Sequence, residues 1–208
     1  MLFRVLLTIT VATSLLYAGD KPKGASLVKL PTATAEVKGL EVPRPKQACP
    51  NWAWAALLEL MLAERDVDLK QTYWVLKAFP GELCVESPVN LDYIRDTVKG
   101  DYVLMDGRHV HLSGVVTKGA PTDVGYLIAN LREGHPLMLL WRGRPVLLQS
   151  IDYDEYVYPN DQRMFEALKL TMIDPLDDKP VVFEKGTDAM SDLGGVFEVR
   201  VGPPTFLH

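Results

Sequence analysis

All but one of the helical patterns in this chain precede residue 100, and strand-like patterns fill most of the chain after that point. The strongest helical segment comes directly after Asn51, a residue type that caps helices, and its apolar side chains repeat at a 3.6-residue period. Those side chains are Trp54, Leu57, Leu58, Met61 and Leu62. Helices followed by an antiparallel sheet form the α+β pattern of two segregated layers. We therefore expect an α+β fold in which this central helix packs on a C-terminal antiparallel sheet.

Caps and breakers predict three more helices. The candidate caps are Asp68 with Gln71, Asn90, and Thr122. The helices that they start are expected to end before Pro80, Gly100 and Gly134, respectively. Asp106-Gly107 and Arg142-Gly143 predict tight turns between strands. Further strands are expected near 165–173, 181–184 and 196–201, after a polar loop from Asp152 to Arg163.

The N-terminus has the layout of a secretory signal peptide. Arg4 precedes an apolar run of about 14 residues, shorter than the roughly 20 that a spanning helix needs, so an uncleaved anchor is the less favoured alternative. We expect cleavage after residues 1–19, no membrane contact afterwards, and a secreted or periplasmic location. Residues 20–43 are expected to form an extended arm or linker, and 44–204 a single domain.

Composition limits the classes of protein. The 208 residues are 48% hydrophobic and 24% charged, which excludes a disordered chain and a polytopic membrane protein. The net charge is -5, so the chain lacks the basic surplus that nucleic-acid binding uses, and no nucleic-acid partner is expected. Cys49 and Cys84 can form one bridge, and export favours a structural disulfide over a redox pair.

The segment Gln47-Ala48-Cys49-Pro50-Asn51-Trp52-Ala53-Trp54-Ala55-Ala56 carries the most specific signal. It sets the amide of Gln47 six residues ahead of the first turn of the central helix. Free N–H groups and the positive end of the helix dipole stabilise a thiolate or an oxyanion at such a place. A cysteine at position 53 would therefore be an activated nucleophile. An alternative interpretation of Gln47 is that its amide only caps backbone groups in a buried corner.

This segment resembles the active-site segment of papain-like cysteine peptidases, in the bacterial branch where a Gln precedes Asn-Trp-Cys-Trp-Ala-Ala, similar to bacteriocin-processing peptidases. The resemblance implies that Gln47 belongs to an oxyanion hole and that Ala53 stands in place of the nucleophilic Cys. It extends over about Val42 to Lys185 and implies a papain-like fold.

The later segments of the resemblance are Gly134-His135-Pro136-Leu137, Gly143 to Asp152, and Ile173-Asp174-Pro175. Counting back from Ser150-Ile151-Asp152 puts Arg144 at the catalytic His, with an uncertainty of one residue, and Pro145 would be no better. Asp174 occupies a plausible position for the third member of the triad. Arg144 and Ser150 depart from the family pattern.

Chemistry then argues against catalysis. Acyl transfer needs a nucleophile and a base within hydrogen-bond reach, and the methyl group of Ala53 supplies neither. The guanidinium of Arg144 accepts no proton at any working pH. A deliberate Cys→Ala change would explain Ala53 but not Arg144, so natural loss of catalysis is favoured.

Other candidate sites are weaker. His109 and His111 lie two apart on a strand and could share a metal, but two ligands do not complete a zinc site, and exposed histidines are preferred. Asp152, Asp154, Glu155 and Asp161 are acids around one loop, but a calcium site needs about 6 to 8 oxygen ligands at suitable geometry, so a solvated loop is preferred. No metal and no cofactor are expected. Trp52, Trp54, Trp74 and Trp141 are interpreted as core residues in preference to an aromatic ligand box.

The sequence thus predicts an exported pseudo-peptidase whose degenerate cleft binds a peptide or partner protein. Asn51, Trp52, Trp54 and Trp141 are its candidate binding residues. One alternative is an active thiol hydrolase with Cys49 as a displaced nucleophile. Another is a structural subunit of an envelope complex, held by the arm.

Overall fold

A computed structural model describes residues 27–40, 48–81, 84, 90–177 and 179–206. The predicted signal peptide, 1–19, and Gln47 lie outside the described residues. The described helices are α1 (Ala53–Ala63), α2 (Gln71–Ala78), α3 (Leu91–Val98) and α4 (Gly125–Arg132), with a short 3-10 turn at Met190–Asp192. The described strands are β1 (Val28–Lys29), β2 (Ala33–Glu36), β3 (Gly100–Val103), β4 (Arg108–Lys118), β5 (Leu137–Trp141), β6 (Arg144–Val157), β7 (Arg163–Ile173), β8 (Pro180–Glu184), β9 (Leu193–Val201) and β10 (Thr205–Phe206). The fold is therefore mixed, with helices and a large antiparallel sheet.

The sheet is ordered β10-β4-β9-β5-β6-β7-β8, and β3 pairs with β4. Its longest strand is β6, with 14 residues. Along one edge β6 pairs with β7; along the other it pairs first with β5, then with β2, then with β1. The two short N-terminal strands thus continue the line of β5, so β6 connects the β5–β6 turn to the N-terminal arm.

Two irregularities interrupt the pairing of β6 with β7. Gln149 is an extra residue in β6, between the pairs formed by Leu148 and Ser150. Leu168 is an extra residue in β7, between the partners of Asp152 and Tyr153. Each is a β-bulge, and because they lie on opposite strands the pairing returns to its first register after the second one.

Helix α1 lies in the middle of the core. Its buried residues include Trp54 and Met61, on the face that the 3.6-residue period predicts, and it packs against β5, β6 and β9. Ala55 and Ala56 are fully buried, so α1 is covered on more than one face. No helix among the described residues is long and apolar enough to cross a membrane.

Part of the predicted arm belongs to the sheet. Residues 33–36 pair with β6, and Ala35, Val37 and Leu40 are buried. The stretch from Asp152 to Val157, expected to begin a polar loop, instead continues β6, and that prediction was wrong. Its acids are bound by the arm: Asp152 accepts a hydrogen bond from Thr34, and Asp154 pairs with Lys29.

The helix caps were only partly predicted. Asn90 caps α3 through hydrogen bonds from the N–H groups of Asp92 and Tyr93, as expected. Asn51 is not a cap, because α1 begins at Ala53 and its N-cap, Trp52, forms no side-chain cap hydrogen bond. The remaining two caps were also wrong. The N-cap of α2 is Lys70, and α4 begins at Gly125, whose N–H donates to Asp123 and not to Thr122.

Candidate functional site

A small cavity of about 160 Å³ lies at the N-terminus of α1. Ala53, the first residue of the helix, lines it together with Asn51 from the preceding turn. Arg144 and Asp174, which are far away in the sequence, line the same cavity. The structure therefore brings together three of the four degenerate catalytic positions named from the sequence.

The turn between β5 and β6 places Arg144. Arg142 and Gly143 both have positive φ, 49° and 77°, as a tight hairpin turn of this kind requires. Arg144 then starts β6 and pairs across the hairpin with Trp141. The guanidinium of Arg142 is held away from the cavity by Asp188 and Asp192, each at 2.9 Å.

Asp174 follows the last residue of β7 and is buried. Its Oδ1 accepts a hydrogen bond of 2.9 Å from the N–H of Leu176, and its Oδ2 lies 2.7 Å from Nη2 of Arg144. A buried carboxylate needs such partners, since a carboxylate left without them is costly to bury. Both of its oxygens are thus engaged, and the charge is balanced by Arg144.

The described walls of the cavity include one acidic and one basic side chain. The described residues that line it are Pro50, Asn51, Ala53, Gly143, Arg144, Pro145, Asp174 and Leu176. None of these carries a thiol, a hydroxyl or an imidazole. The carboxylate of Asp174 is paired with the guanidinium of Arg144, so the described walls offer an amide and an ion pair that can bind and orient a ligand. Leu176 was missed by sequence reasoning because it carries no reactive group.

The tryptophans are placed in the core. Trp52 and Trp54 are buried, and neither lines the cavity. Trp141 is also buried; its ring lies 5.8 Å from that of Phe183 and 5.2 Å from the guanidinium of Arg142. Of the four candidate binding residues, the structure therefore brings only Asn51 to the cavity.

A disulfide joins Cys49 to Cys84, with Cα atoms 5.3 Å apart. The carbonyl of Cys49 accepts a hydrogen bond from the N–H of Trp52, which shapes the turn that leads into α1. The bond therefore anchors the loop that carries Pro50 and Asn51, two walls of the cavity. Because the chain has no other cysteines, it has no free thiol in this state.

The histidine pair lies elsewhere. His111 is exposed, and its Nδ1 lies 2.8 Å from a carboxylate oxygen of Asp101 on the neighbouring strand β3. His109 pairs with Val103 across the same strands. Among the described residues no three or more His, Cys, Asp or Glu side chains form a group that could hold a metal ion.

Comparison with known proteins gave no match: no family model, no curated protein and no solved structure is similar to the chain. The geometry of the cavity at Ala53 and the chemistry of the residues that line it are therefore the guide to function.

Proposed function

We propose that this chain is an exported, catalytically inactive papain-like pseudo-peptidase that binds a peptide or partner protein through the cavity at Ala53. The observation that carries the proposal is that Ala53, Arg144 and Asp174 meet in one cavity at the start of the central helix. The resemblance in the sequence had assigned these three positions to the Cys, the His and the third member of a papain-like triad.

The surroundings of these residues support the papain-like interpretation. Such a site needs a nucleophile position at the N-terminus of a buried helix, where the helix dipole acts, and Ala53 is at that position. It also needs the base on a strand beside the helix and a carboxyl or amide partner behind the base. Arg144 at the start of β6 and Asp174 after β7 have that relation, and their side chains touch.

Loss of catalysis follows from the two replaced side chains. A methyl group attacks no carbonyl, and a guanidinium abstracts no proton at physiological pH. The cavity itself remains, with polar groups from Asn51 and Arg144 along its walls. Recognition of an extended peptide by hydrogen bonds and small pockets needs no reactive group.

The alternative of a displaced nucleophile is less well supported. Cys49 would need a free thiolate, but its sulfur is bonded to Cys84. We therefore assign binding, and not hydrolysis, to the cavity.

The proposal can be tested by panning a phage-displayed library of random peptides on the oxidised protein without its first 19 residues. Peptides that bind the cavity should be enriched on the native domain and lost on Ala53→Leu, whose larger side chain fills part of the cavity. Ala63→Leu is the matched control, because Ala63 is an exposed residue at the other end of the same helix. We expect selected peptides to bind Ala63→Leu as tightly as the native protein.

Enrichment of the same peptides on native protein and on Ala53→Leu would place binding elsewhere and contradict the proposal. Failure to enrich any peptide would also count against it. Both variants must first be shown to unfold cooperatively on heating, because a core defect in Ala53→Leu would remove binding for an unrelated reason.

A further inference from the structure

A second, larger cavity of about 500 Å³ lies near the other end of α1. Arg65 lines it, two residues beyond the end of a helix whose 11 residues span about 16 Å. This cavity is therefore separated from the one at Ala53 by the length of the central helix. Its volume is within the range of small-ligand pockets, roughly 300 to 1,000 Å³.

The end of α1 positions Arg65. The N–H of Arg65 donates to the carbonyl of Leu62, and that of Asp66 donates to Ala63. Asp66 has a positive φ of 56°, which turns the chain away from the helix axis. The carbonyl of Asp66 then accepts a hydrogen bond of 2.6 Å from Arg108, so the turn is held from both sides.

One face of α4 and one face of β9 supply the other walls. Tyr126, Ala129, Asn130 and Glu133 follow the spacing of a single helix face, and Glu198 and Arg200 are two apart on a strand. Glu198 and Arg200 already bind each other at 2.7 Å, and Glu133 lies 3.4 Å from His135.

Arg65 differs from these paired charges because its side chain has no such partner among the described residues. In the described part of the chain its guanidinium forms no ion pair and no hydrogen bond, and its Nε is buried without an acceptor. Burial lowers the pKa of Arg65, and the charges of Glu198 and Glu133 offset this lowering only in part.

The hydroxyl of Tyr126 is buried in the wall of the same cavity, also without a hydrogen-bond partner among the described residues. Burial raises the pKa of Tyr126 to about 12, against a smaller lowering by the nearby side chain of Thr117. Thr117 is close enough to act on this hydroxyl but does not meet the geometry of a hydrogen bond to it.

An unpaired donor in such a wall is destabilising unless something binds it. The two other buried side-chain atoms without partners among the described residues are indole nitrogens, of Trp52 and Trp74. Arg65 and Tyr126 are thus the two cases that line one cavity, whose walls carry mixed charges.

We propose that this cavity binds a carboxylate that has an N–H donor beside it, as in a free amino acid or the last residue of a peptide. A planar guanidinium matches a carboxylate through two parallel hydrogen bonds. Glu133 and Glu198 disfavour a doubly charged anion such as phosphate and can accept from the neighbouring N–H. Tyr126 donates to the second carboxylate oxygen after a small movement of its ring.

The side-chain Nε–H signal of Arg65 gives a direct test by heteronuclear NMR at neutral pH on the full oxidised domain. The probes are alanine, N-acetylalanine, N-acetylalaninamide and inorganic phosphate. We expect a saturable shift of the Arg65 signal with at least one of the two carboxylates, with a Kd below about 10 mM. A tighter response to alanine identifies a free amino acid as the ligand, and a tighter response to N-acetylalanine identifies a peptide C-terminus.

Variants complete the test. Arg65→Gln should weaken carboxylate binding at least tenfold, read from the backbone amides of α4, while Arg95→Gln on α3 leaves it unchanged. Tyr126→Phe should weaken binding about threefold and leave the free protein folded. An equal response to the amide or to phosphate, no saturable shift, or unchanged binding in Arg65→Gln would each overturn the proposal. These outcomes are independent of the peptide-panning result, because the two cavities lie at opposite ends of α1.

Discussion

Arg144 and Asp174 form an ion pair at the cavity at Ala53, with Nη2 of one 2.7 Å from Oδ2 of the other. The two side chains differ in environment, because 59% of the Arg144 side chain is exposed and only 5% of that of Asp174. The buried carboxylate therefore needs the arginine to balance its charge, whereas the exposed guanidinium is also solvated by water. This asymmetry determines what a substitution at either position does.

Replacing Arg144 with alanine leaves the buried carboxylate of Asp174 with one remaining partner, the N–H of Leu176. We expect Arg144→Ala to lower the free energy of unfolding by about 1 to 2 kcal/mol, since solvent screening reduces the loss for a half-exposed arginine. Urea unfolding measures it. The double variant Arg144→Ala/Asp174→Asn should recover part of this loss, and a loss that persists in full would mean that the pair is not the cause.

Restoring the replaced groups tests the site chemistry. In Ala53→Cys the new thiol lies at a helix N-terminus, so its pKa should fall below the free-cysteine value of about 8.5. Hydrolysis should still be absent, because no base is present. Weak turnover of peptide or ester substrates should appear only in Ala53→Cys/Arg144→His, since a general base contributes roughly 10² to 10⁴ in rate. The pH dependence of iodoacetamide alkylation gives the thiol pKa, and a value near that of free cysteine would refute the assignment of position 53.

The native protein should hydrolyse no peptide or ester and should not react with epoxide or vinyl-sulfone probes. Cys49 and Cys84 should both resist iodoacetamide until a reductant is added, and the intact mass should be lower than that of the reduced chain by two hydrogen atoms. The bridge joins residues 35 apart, so by the chain-entropy model its removal in Cys49→Ser/Cys84→Ser should cost about 3 to 4 kcal/mol of stability. Probe labelling of Cys49 with turnover that Cys49→Ala abolishes would reinstate the displaced nucleophile.

Asp154 couples attachment of the arm to pH. Hydrogen bonds from Lys29 and Thr32 hold the pKa of Asp154 below its ordinary 3.8, and the bond to Asp154 raises the pKa of Lys29 above 10.5. The carboxylate's contribution is therefore present above pH 3.8 and is lost as the pH falls through its folded pKa. The lysine's contribution is present below 10.5 and is lost as the pH rises further.

We therefore expect this pair's contribution to the free energy of unfolding to be constant between about pH 4 and pH 10 and to decrease at lower and at higher pH. At pH 7, Asp154→Asn should speed hydrogen exchange of residues 28–36 at least tenfold, while Asp161→Asn, in the exposed turn between β6 and β7, should not. Equal exchange in the two variants would show that the ion pair does not hold the arm.

Gly114 marks a close approach in the sheet. A Cβ at this position would lie 2.5 Å from Cε2 and 3.0 Å from Cζ of the fully buried Phe197. We expect Gly114→Ala to lower the free energy of unfolding by about 1 to 3 kcal/mol, the usual cost of overpacking, whereas Ser113→Ala changes it by less than about 0.5 kcal/mol. Thermal unfolding of the two variants distinguishes these outcomes.

Sequence reasoning succeeded where the signal is local. The apolar face of α1, the cap at Asn90 and the turn at Arg142-Gly143 all depend on residues within a few positions of each other. It failed where a distant segment supplies the partner. The amide of Gln71 does not cap α2, because its oxygen accepts a hydrogen bond from the N–H of Ala48, 23 residues earlier.

The same reason explains the missed strand and the missed cavity. Charges at Asp152 and Asp154 predict a solvated loop, yet they lie in β6 because the arm supplies Thr34 and Lys29 as partners. The cavity at Arg65 joins three segments that no single periodicity links. Arg144 and Asp174 line the cavity of Ala53, and no local pattern links these three positions; only the resemblance had grouped them.

The bulges at Gln149 and Leu168 are places where β6 and β7 can each lose a residue without a slip in their pairing. Gln149 has no partner of its own, so its deletion would close the bulge and leave the later pairs, such as Ser150 with Thr171, in place. Deletion of a paired residue such as Ile151 would instead shift the rest of β6 by one against β7 and turn Asp154 to the opposite face of the sheet, away from Lys29. The spacing between the cavity at Arg144 and the arm at Lys29 can therefore change by one residue at Gln149 at little cost, but not at the paired positions around it.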